Sequence, residues 1–322
     1  MKEFVPSEYL RAVLGRLPTS VFHPENLQVV GIDFGPQRIT DSSGMIIEPK
    51  QGAWALCQGT YLLHFDGALP DWIHEEGLTP TVFGRSSNHR CGAGIGMVFA
   101  KSEDPDGDSR GPLFGGDLMA TYNIWNPSGI RIEEGACLAQ LSLTRKATGL
   151  VPLTLLRPES IAVFAGSGVI GREKTQVAAT QEFSMTGDCW ELKPNTGYLV
   201  TFAGSVTPGP GEVLIPSSHT AAVSGFPKSL ALLRYSCLGD PGYRGNLGML
   251  IVPVVDLELS PHDVIATIDQ CRVSQPIATI LYQGQFQGVG ADSPPMRFAP
   301  LTDYGLSMVG KPLDEIVVGF SS

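Results

Sequence analysis

Phosphate chemistry is the first possibility that the side chains raise. The segment Phe83-Gly84-Arg85-Ser86-Ser87-Asn88-His89-Arg90 carries two guanidiniums and two hydroxyls directly after an apolar run. Guanidinium groups stay charged and donate paired hydrogen bonds to phosphate oxygens, and neighbouring hydroxyls can complete such a grip. On spacing alone the same residues read equally well as a surface turn whose arginines pair with nearby acids. A second stretch, Gly239-Asp240-Pro241-Gly242-Tyr243-Arg244-Gly245, sets a carboxylate in a Gly/Pro turn, which by itself says only that the backbone reverses there. Tyr243 beside it is either one wall of a ligand site or an ordinary core or edge aromatic. The six cysteines, at 57, 91, 137, 189, 237 and 271, never form a Cys-x-x-Cys pair, so no zinc site or disulfide framework is signalled and buried, reduced thiols are expected. No His-x-Glu is followed by the Pro-Cys-x-x-Cys of zinc-dependent deamination either.

The elements that must position these groups are short. Only 17% of the residues are charged while Gly (38) and Pro (25) abound, which suits many strands joined by tight turns and predicts a mainly β fold. Ser7 precedes Leu10, Val13, Leu14 and Leu17 at the spacing of one buried helical face, so a single clear helix is expected with Ser7 as its N-cap. Beyond it, runs such as Thr60 to Phe65, Leu138 to Leu143, Tyr198 to Phe202 and Leu230 to Arg234 read as strands between turn clusters. The length of 322 residues accommodates two ordinary domains. A net charge of −10 argues against a broad nucleic-acid footprint and leaves room for local capture of a small anion. No run of about 18 apolar residues occurs, and Met1-Lys2-Glu3-Phe4 begins no apolar signal core, so a soluble, cytoplasmic protein without a membrane partner is expected.

An internal repeat organises the chain. Trp54 to Phe65 answers Trp190 to Phe202, Phe83 to Ser87 answers Leu214 to Ser218, Gly116-Asp117-Leu118 answers Gly245-Asn246-Leu247, and Ile132 to Leu141 answers Leu259 to Ile268. The matches keep their order and nearly keep their gaps, which predicts two copies of one unit, residues 1–150 and 151–322. The boundary falls between about Ala147 and Thr186, where the pattern weakens.

Phe83 to Arg90 resembles the dCTP deaminase signature Gly-Arg-Ser-Ser-x-x-Arg, with every specified residue present. Gly31-Ile32-Asp33-Phe34 resembles that family's early Gly-x-x-x-Asp strand loosely, and Gly135 to Leu141 is similar to its Pro-Gly-x-x-Ile-Ala-Gln-Leu hairpin, with Gln140 as the matching Gln. Asp240 to Gly245 resembles both the deaminase Asp-Pro-Gly-Phe-x-Gly and the dUTPase Asp-x-x-Tyr-Arg-Gly segments. Tyr282 to Gly288 is similar to the deaminase closing segment Tyr-x-Gly-Lys-Tyr-Gln-Gly, with Gln285 at the Lys and Phe286 at the second Tyr. The resemblance implies two distorted antiparallel dUTPase-like β-barrels in tandem. It also implies a pyrimidine deoxyribonucleoside triphosphate as ligand, Mg²⁺ carried by that triphosphate, and sites shared between subunits of a homotrimer. Asp240 is then the catalytic carboxylate, set against the deoxyribose, while Arg85, Ser86, Ser87, Arg90, Gln140, Tyr243, Tyr282 and Gln287 bind substrate. The second copy reads Pro216-Ser217-Ser218-His219 where the first has its arginines, so a composite site is expected, the phosphate grip from one copy and the sugar contact from the other.

One departure matters for activity. Where the deaminases carry a proton-shuttling Glu, this chain has Leu250 in the second copy and Ala120 in the first, and neither can move a proton. Glu212 is the nearby acid that could substitute, while Glu133, Glu134 and Glu258 read as solvated turn residues. The activities consistent with the residues are a deaminase with a displaced acid, a dUTPase-like diphosphohydrolase and a non-catalytic nucleotide sensor or structural barrel. The Arg-containing C-terminal phosphate loop of dUTPases is missing, Gly288-Val289-Gly290 being its only echo.

Overall fold

The computed structural model describes residues 2–101, 111–147, 152–217, 228, 231–274, 281–282 and 285–300. Strand β1 (Lys2–Phe4) and helix α1 (Ser7–Val13) open the chain. The first half continues through β2 (Ile32–Phe34), β3 (Arg38–Asp41), β4 (Ala53–Leu56), β5 (Gly59–Ala68), the single turn α2 (Trp72–Glu75), β6 (Thr79–Gly84) and the short helix α3 (Ser86–Arg90). It ends with β7 (Ala93–Ala100), β8 (Asp117–Ile124), β9 (Ile130–Glu133) and β10 (Ala139–Lys146). The second half holds β11 (Pro152–Leu156), β12 (Pro158–Phe164), β13 (Gly168–Ile170), β14 (Thr175–Gln176), β15 (Thr180–Glu182) and β16 (Trp190–Leu192). It goes on with β17 (Tyr198–Val206), β18 (Glu212–Ser217), β19 (Leu232–Tyr235), β20 (Gly245–Pro253), β21 (Leu257–Leu259), β22 (Ala266–Val273) and β23 (Ala299–Pro300).

Pairing in the two halves runs in parallel. The sheet β3-β5-β8-β7 has its counterpart in β12-β17-β20-β19, the pair β4·β9 in β16·β21, and the set β2·β10·β6 in β11·β22·β18. Even the irregularities correspond: the β5·β8 ladder slips between His64 and Ala68, and the β17·β20 ladder between Thr201 and Ser205. Strand alternation explains the two cores. Tyr198, Val200 and Phe202 point inward from β17 while Leu199 and Thr201 do not, as a half-buried strand demands. One core draws on residues 5–143 together with Ile170, the other on residues 156–268. Three sheets line the first core, and no ladder closes the ring among the described residues, so the barrel is an open, distorted one.

Three features lock the halves together. Strand β1 lies between them, antiparallel to β10 and parallel to β22. Strand β13 of the second half pairs in parallel with β9 of the first. Small apolar clusters seal the junction, one of them joining Phe4, Val29 and Val30 to Val213, Leu238 and Val273.

Leu10, Val13, Leu14 and Leu17 are all buried, as their spacing requires. Ser7, however, is the first helical residue rather than the cap. The extended residue before the helix is Pro6, and the Ser7 hydroxyl donates to Glu8 Oε2 at 3.3 Å instead of capping a backbone amide. After Val13 the backbone tightens into a 3₁₀ turn, Leu14–Arg16. All six cysteines are unpaired, and Cys91, Cys137 and Cys271 are buried, but Cys57 is exposed, because it follows β4 into a surface turn. No helix among the described residues is long and apolar enough to cross a membrane.

Gly94 on β7 lies flat against the Tyr235 ring of β19, and a Cβ there would stand 2.2 Å from a ring carbon. Gly94→Val is therefore expected to lose about 1–3 kcal/mol through overpacking, seen as a lower urea midpoint. An unchanged midpoint would show that this contact does not join the halves.

Candidate functional site

The Arg-Ser-Ser segment is fixed by polar anchors rather than by a helix cap. At the end of β6 the Arg85 amide donates to the Leu138 carbonyl at 3.1 Å, and Asn88 Nδ2 donates to the same oxygen at 2.7 Å. The buried Tyr122 hydroxyl in turn donates to Asn88 Oδ1 at 3.2 Å, tying α3 to β8. Short and held at its base, α3 presents Arg85, Ser86, Ser87, His89 and Arg90 to a cavity of about 740 Å³ between the halves.

The opposite wall is the Asp240 turn. Pro241 and Gly242 (φ 81°) form its corner, and the Tyr243 amide donates to the Asp240 carbonyl at 3.0 Å, a type II geometry that needs glycine at the third position. The C-terminal segment crosses this turn so closely that a Cβ on Gly245 would lie 2.3 Å from the Val289 carbonyl oxygen. Tyr282 donates its amide to Pro241 O at 2.9 Å and sets its ring edge-on to Tyr243, centroids 5.5 Å apart. Phe286 lies 4.1 Å beneath the Arg90 guanidinium, and Gln285 exchanges two hydrogen bonds with the Thr175 backbone. The tail thus roofs the cavity from the second half to the first.

The electrostatics concentrate on three groups. Arg85 Nε stands 3.0 Å from Asp33 Oδ2, and the Asp33 carboxylate is buried on β2. Burial outweighs the Arg85 charge and pushes Asp33 up to about 6. Asp240 goes up to about 7, first through burial and then through the Asp33 charge, with Arg85 opposing. The Cys237 thiol, also on the wall, is driven to about 12 by burial and is not a nucleophile at neutral pH. Around the same cavity Ser87 Oγ, both His89 ring nitrogens, Arg90 Nε and Asp240 Oδ1 are buried with no hydrogen-bond partner among the described residues. Folded proteins leave few such atoms unmet, so a cluster of them at one cavity points to a polar ligand.

Of the residues singled out from the sequence, Arg85, Ser86, Ser87, Arg90, Gln140, Asp240, Tyr243 and Tyr282 all line this cavity, and they do so within one chain. Gln287 does not: its amide accepts from Arg244 N and donates to Gly242 O, so it clamps the tail onto the turn. Glu212 caps a loop by accepting from Gly209 N at 2.8 Å and stays off the cavity wall. Glu133 accepts from the Arg172 amide, and Leu250 and Ala120 are wholly buried among apolar neighbours. Sequence reasoning missed Asp33 as the partner of Arg85, its only signal being the loose Gly-x-x-x-Asp match. It also missed His89, Cys237 and the joining segment Gly171 to Glu173, which carry no motif of their own. No group of three or more His, Cys, Asp or Glu side chains able to hold a metal exists among the described residues.

Fold and cavity together define a mainly β, two-half scaffold with a polar pocket at the junction. By structure the chain is similar to the 2′-deoxycytidine 5′-triphosphate deaminase of Agrobacterium tumefaciens, with a TM-score of 0.58 and 12% sequence identity over 85% of this chain and 99% of that one. So wide a span takes in both halves, and at that identity it is the dCTP deaminase-like fold that is shared. No family model matches the sequence, and no curated protein matches it.

Asp33 and Asp240 hold protons in the folded chain at pH values where the unfolded chain has already released them. Stability therefore falls as pH rises from about 4 through about 6 for Asp33 and through about 7 for Asp240. Asp240→Asn is expected to raise the melting temperature at pH 8 more than at pH 5, by about 2–4 °C per kcal/mol relieved. Equal shifts at both pH values would mean that Asp240 is not buried as described.

Proposed function

We propose that the chain is a pyrimidine deoxyribonucleoside triphosphate hydrolase of the dCTP deaminase and dUTPase kind, working at the cavity between its halves. The observation that carries this reading is the convergence, on one cavity of a single chain, of two guanidiniums from one half and, from the other, a carboxyl whose buried Oδ1 has no partner among the described residues. Its volume of about 740 Å³ lies within the range of pockets that enclose small ligands.

Arg85, Arg90, Ser86 and Ser87 take the phosphates, with Mg²⁺ arriving as part of the substrate. Tyr243, backed by Tyr282, forms the wall against the deoxyribose and leaves no partner for a 2′-hydroxyl. Gln140 lines the same wall as Asp33, to which it is opposed across β2 and β10. Asp240, deprotonated above about pH 7, accepts a proton from water as the water oxygen bonds to the α-phosphorus. The bond from that phosphorus to the bridging oxygen breaks, and diphosphate leaves with its metal. Deamination is the second reading, favoured by the likeness to a dCTP deaminase. There the same water would add to the cytosine ring and ammonia would leave. The corresponding pairings of residues 1–150 and 151–322 support an origin as two fused copies of one unit, and a homotrimer in the cytoplasm is the proposed assembly and place.

Incubation with each deoxyribonucleoside triphosphate and Mg²⁺, followed by chromatography, separates the outcomes. A monophosphate with diphosphate supports the first reading and ammonia with dUTP the second, while binding without product reduces the protein to a sensor. Arg90→Ala and Asp240→Asn are each expected to lower kcat/KM by about 10²–10³, and the wild-type rate to rise with pH through about 7. Unimpaired turnover in both variants would overturn the assignment of the cavity.

A further inference from the structure

We infer that His89 reads the heterocyclic base of the bound nucleotide, a role that rests on the reading just given. His89 is 2% exposed, lines the large cavity, and has no hydrogen-bond partner on either ring nitrogen among the described residues. It sits in α3 beside Arg90 but reaches across the junction: a Cβ built on Gly248 of β20 would stand 3.8 Å from His89 Nε2. Glycine at 248 keeps the space in front of the imidazole open.

The protonation state decides what the ring can bind. Burial, followed by the Arg90 charge, holds His89 well below its ordinary value, so the imidazole is neutral at pH 7. A neutral imidazole carries one donor and one acceptor nitrogen. Phosphate oxygens only accept, and they would oppose the acceptor nitrogen, whereas the edge of a pyrimidine carries donors and acceptors side by side. The cations for phosphate are already supplied by Arg85 and Arg90, which leaves the neutral ring for the uncharged end of the ligand. A small side cavity of about 10 Å³, bounded by Asn88, His89, Tyr235 and Ser236, has room for about one water and can satisfy one ring nitrogen. The other still lacks a protein partner.

A ring kept only for packing would behave differently. Replacing a buried, unpaired polar side chain by an apolar one of similar size removes a desolvation penalty and does not weaken the fold. Titration calorimetry of wild type and His89→Leu with inorganic tripolyphosphate and with dCTP and dUTP tests the distinction. His89→Leu is expected to melt no lower than wild type without ligand, to bind the preferred nucleotide about tenfold more weakly or worse, and to bind tripolyphosphate within about twofold of wild type. His89→Gln, which keeps a donor and an acceptor, should recover part of the lost affinity. Gly248→Val approaches the same space from the opposite strand and should reproduce the selective loss even if His89→Leu folds poorly. Equal losses for nucleotide and tripolyphosphate would place His89 in the phosphate grip, and unchanged nucleotide binding in His89→Leu and Gly248→Val would return it to the core; either result overturns this inference alone. Failure of the wild type to bind either nucleotide overturns the functional reading with it.

Discussion

A guanidinium facing two buried carboxyls from different halves of the chain is the constraint on which the structure turns. Arg85 is paired directly with Asp33, and Asp240 feels both charges from across the cavity. Away from water such a set cannot carry all its charges cheaply, because burial of an ion costs several kcal/mol unless it is matched. One cation cannot fully match two anions, so near neutrality part of the charge is held back as bound protons. The arrangement persists because the scaffold leaves these groups no alternative: β2 and β10 fix Asp33, the Leu138 carbonyl fixes the base of α3, and the tail fixes the Asp240 turn.

The scaffold does this with corresponding strand pairings in its two halves that differ at two places on the cavity. Where β6 ends in Arg85 and α3, its counterpart β18 ends in Pro216 and Ser217 with no cation. Where β20 is preceded by the Asp-Pro-Gly turn, β8 is preceded by glycines and a Cβ on Gly116 would strike the Lys101 carbonyl. Each half thus supplies what the other lacks, and the joining segment through Arg172 and Thr175 fills the gap between them.

The fold was legible in the sequence because its signals are local and repeated. Alternating apolar residues mark β5, β10 and β17, glycine and proline punctuate the turns, and the matched segments fall on matched strands. Cavity-lining residues were legible where several occur together, as in Arg85 to Arg90 or Asp240 to Tyr243. Isolated ones were not. Asp33 sits on a strand of three residues, and nothing nearby in sequence shows that its carboxylate meets an arginine from another strand. Gln287 lies in a stretch that otherwise covers the cavity, but its neighbours do not reveal that its amide turns towards Arg244 and Gly242. The Ser7 cap failed for a related reason: Pro6, already extended, ends the preceding chain and leaves Ser7 inside the first turn.

Strand β1 sets an order of assembly. Phe4 pairs beside Val273, so β1 finds its second neighbour only after all the residues between them have been made. At ordinary rates of translation that interval is on the order of 15–50 s, during which only the β10 side of β1 has a partner to pair with. Contacts between such distant positions also make for slow folding, since the intervening chain must be ordered first. Seating of β1 between β10 and β22, rather than collapse of either core, is then the step that joins the two sheet edges.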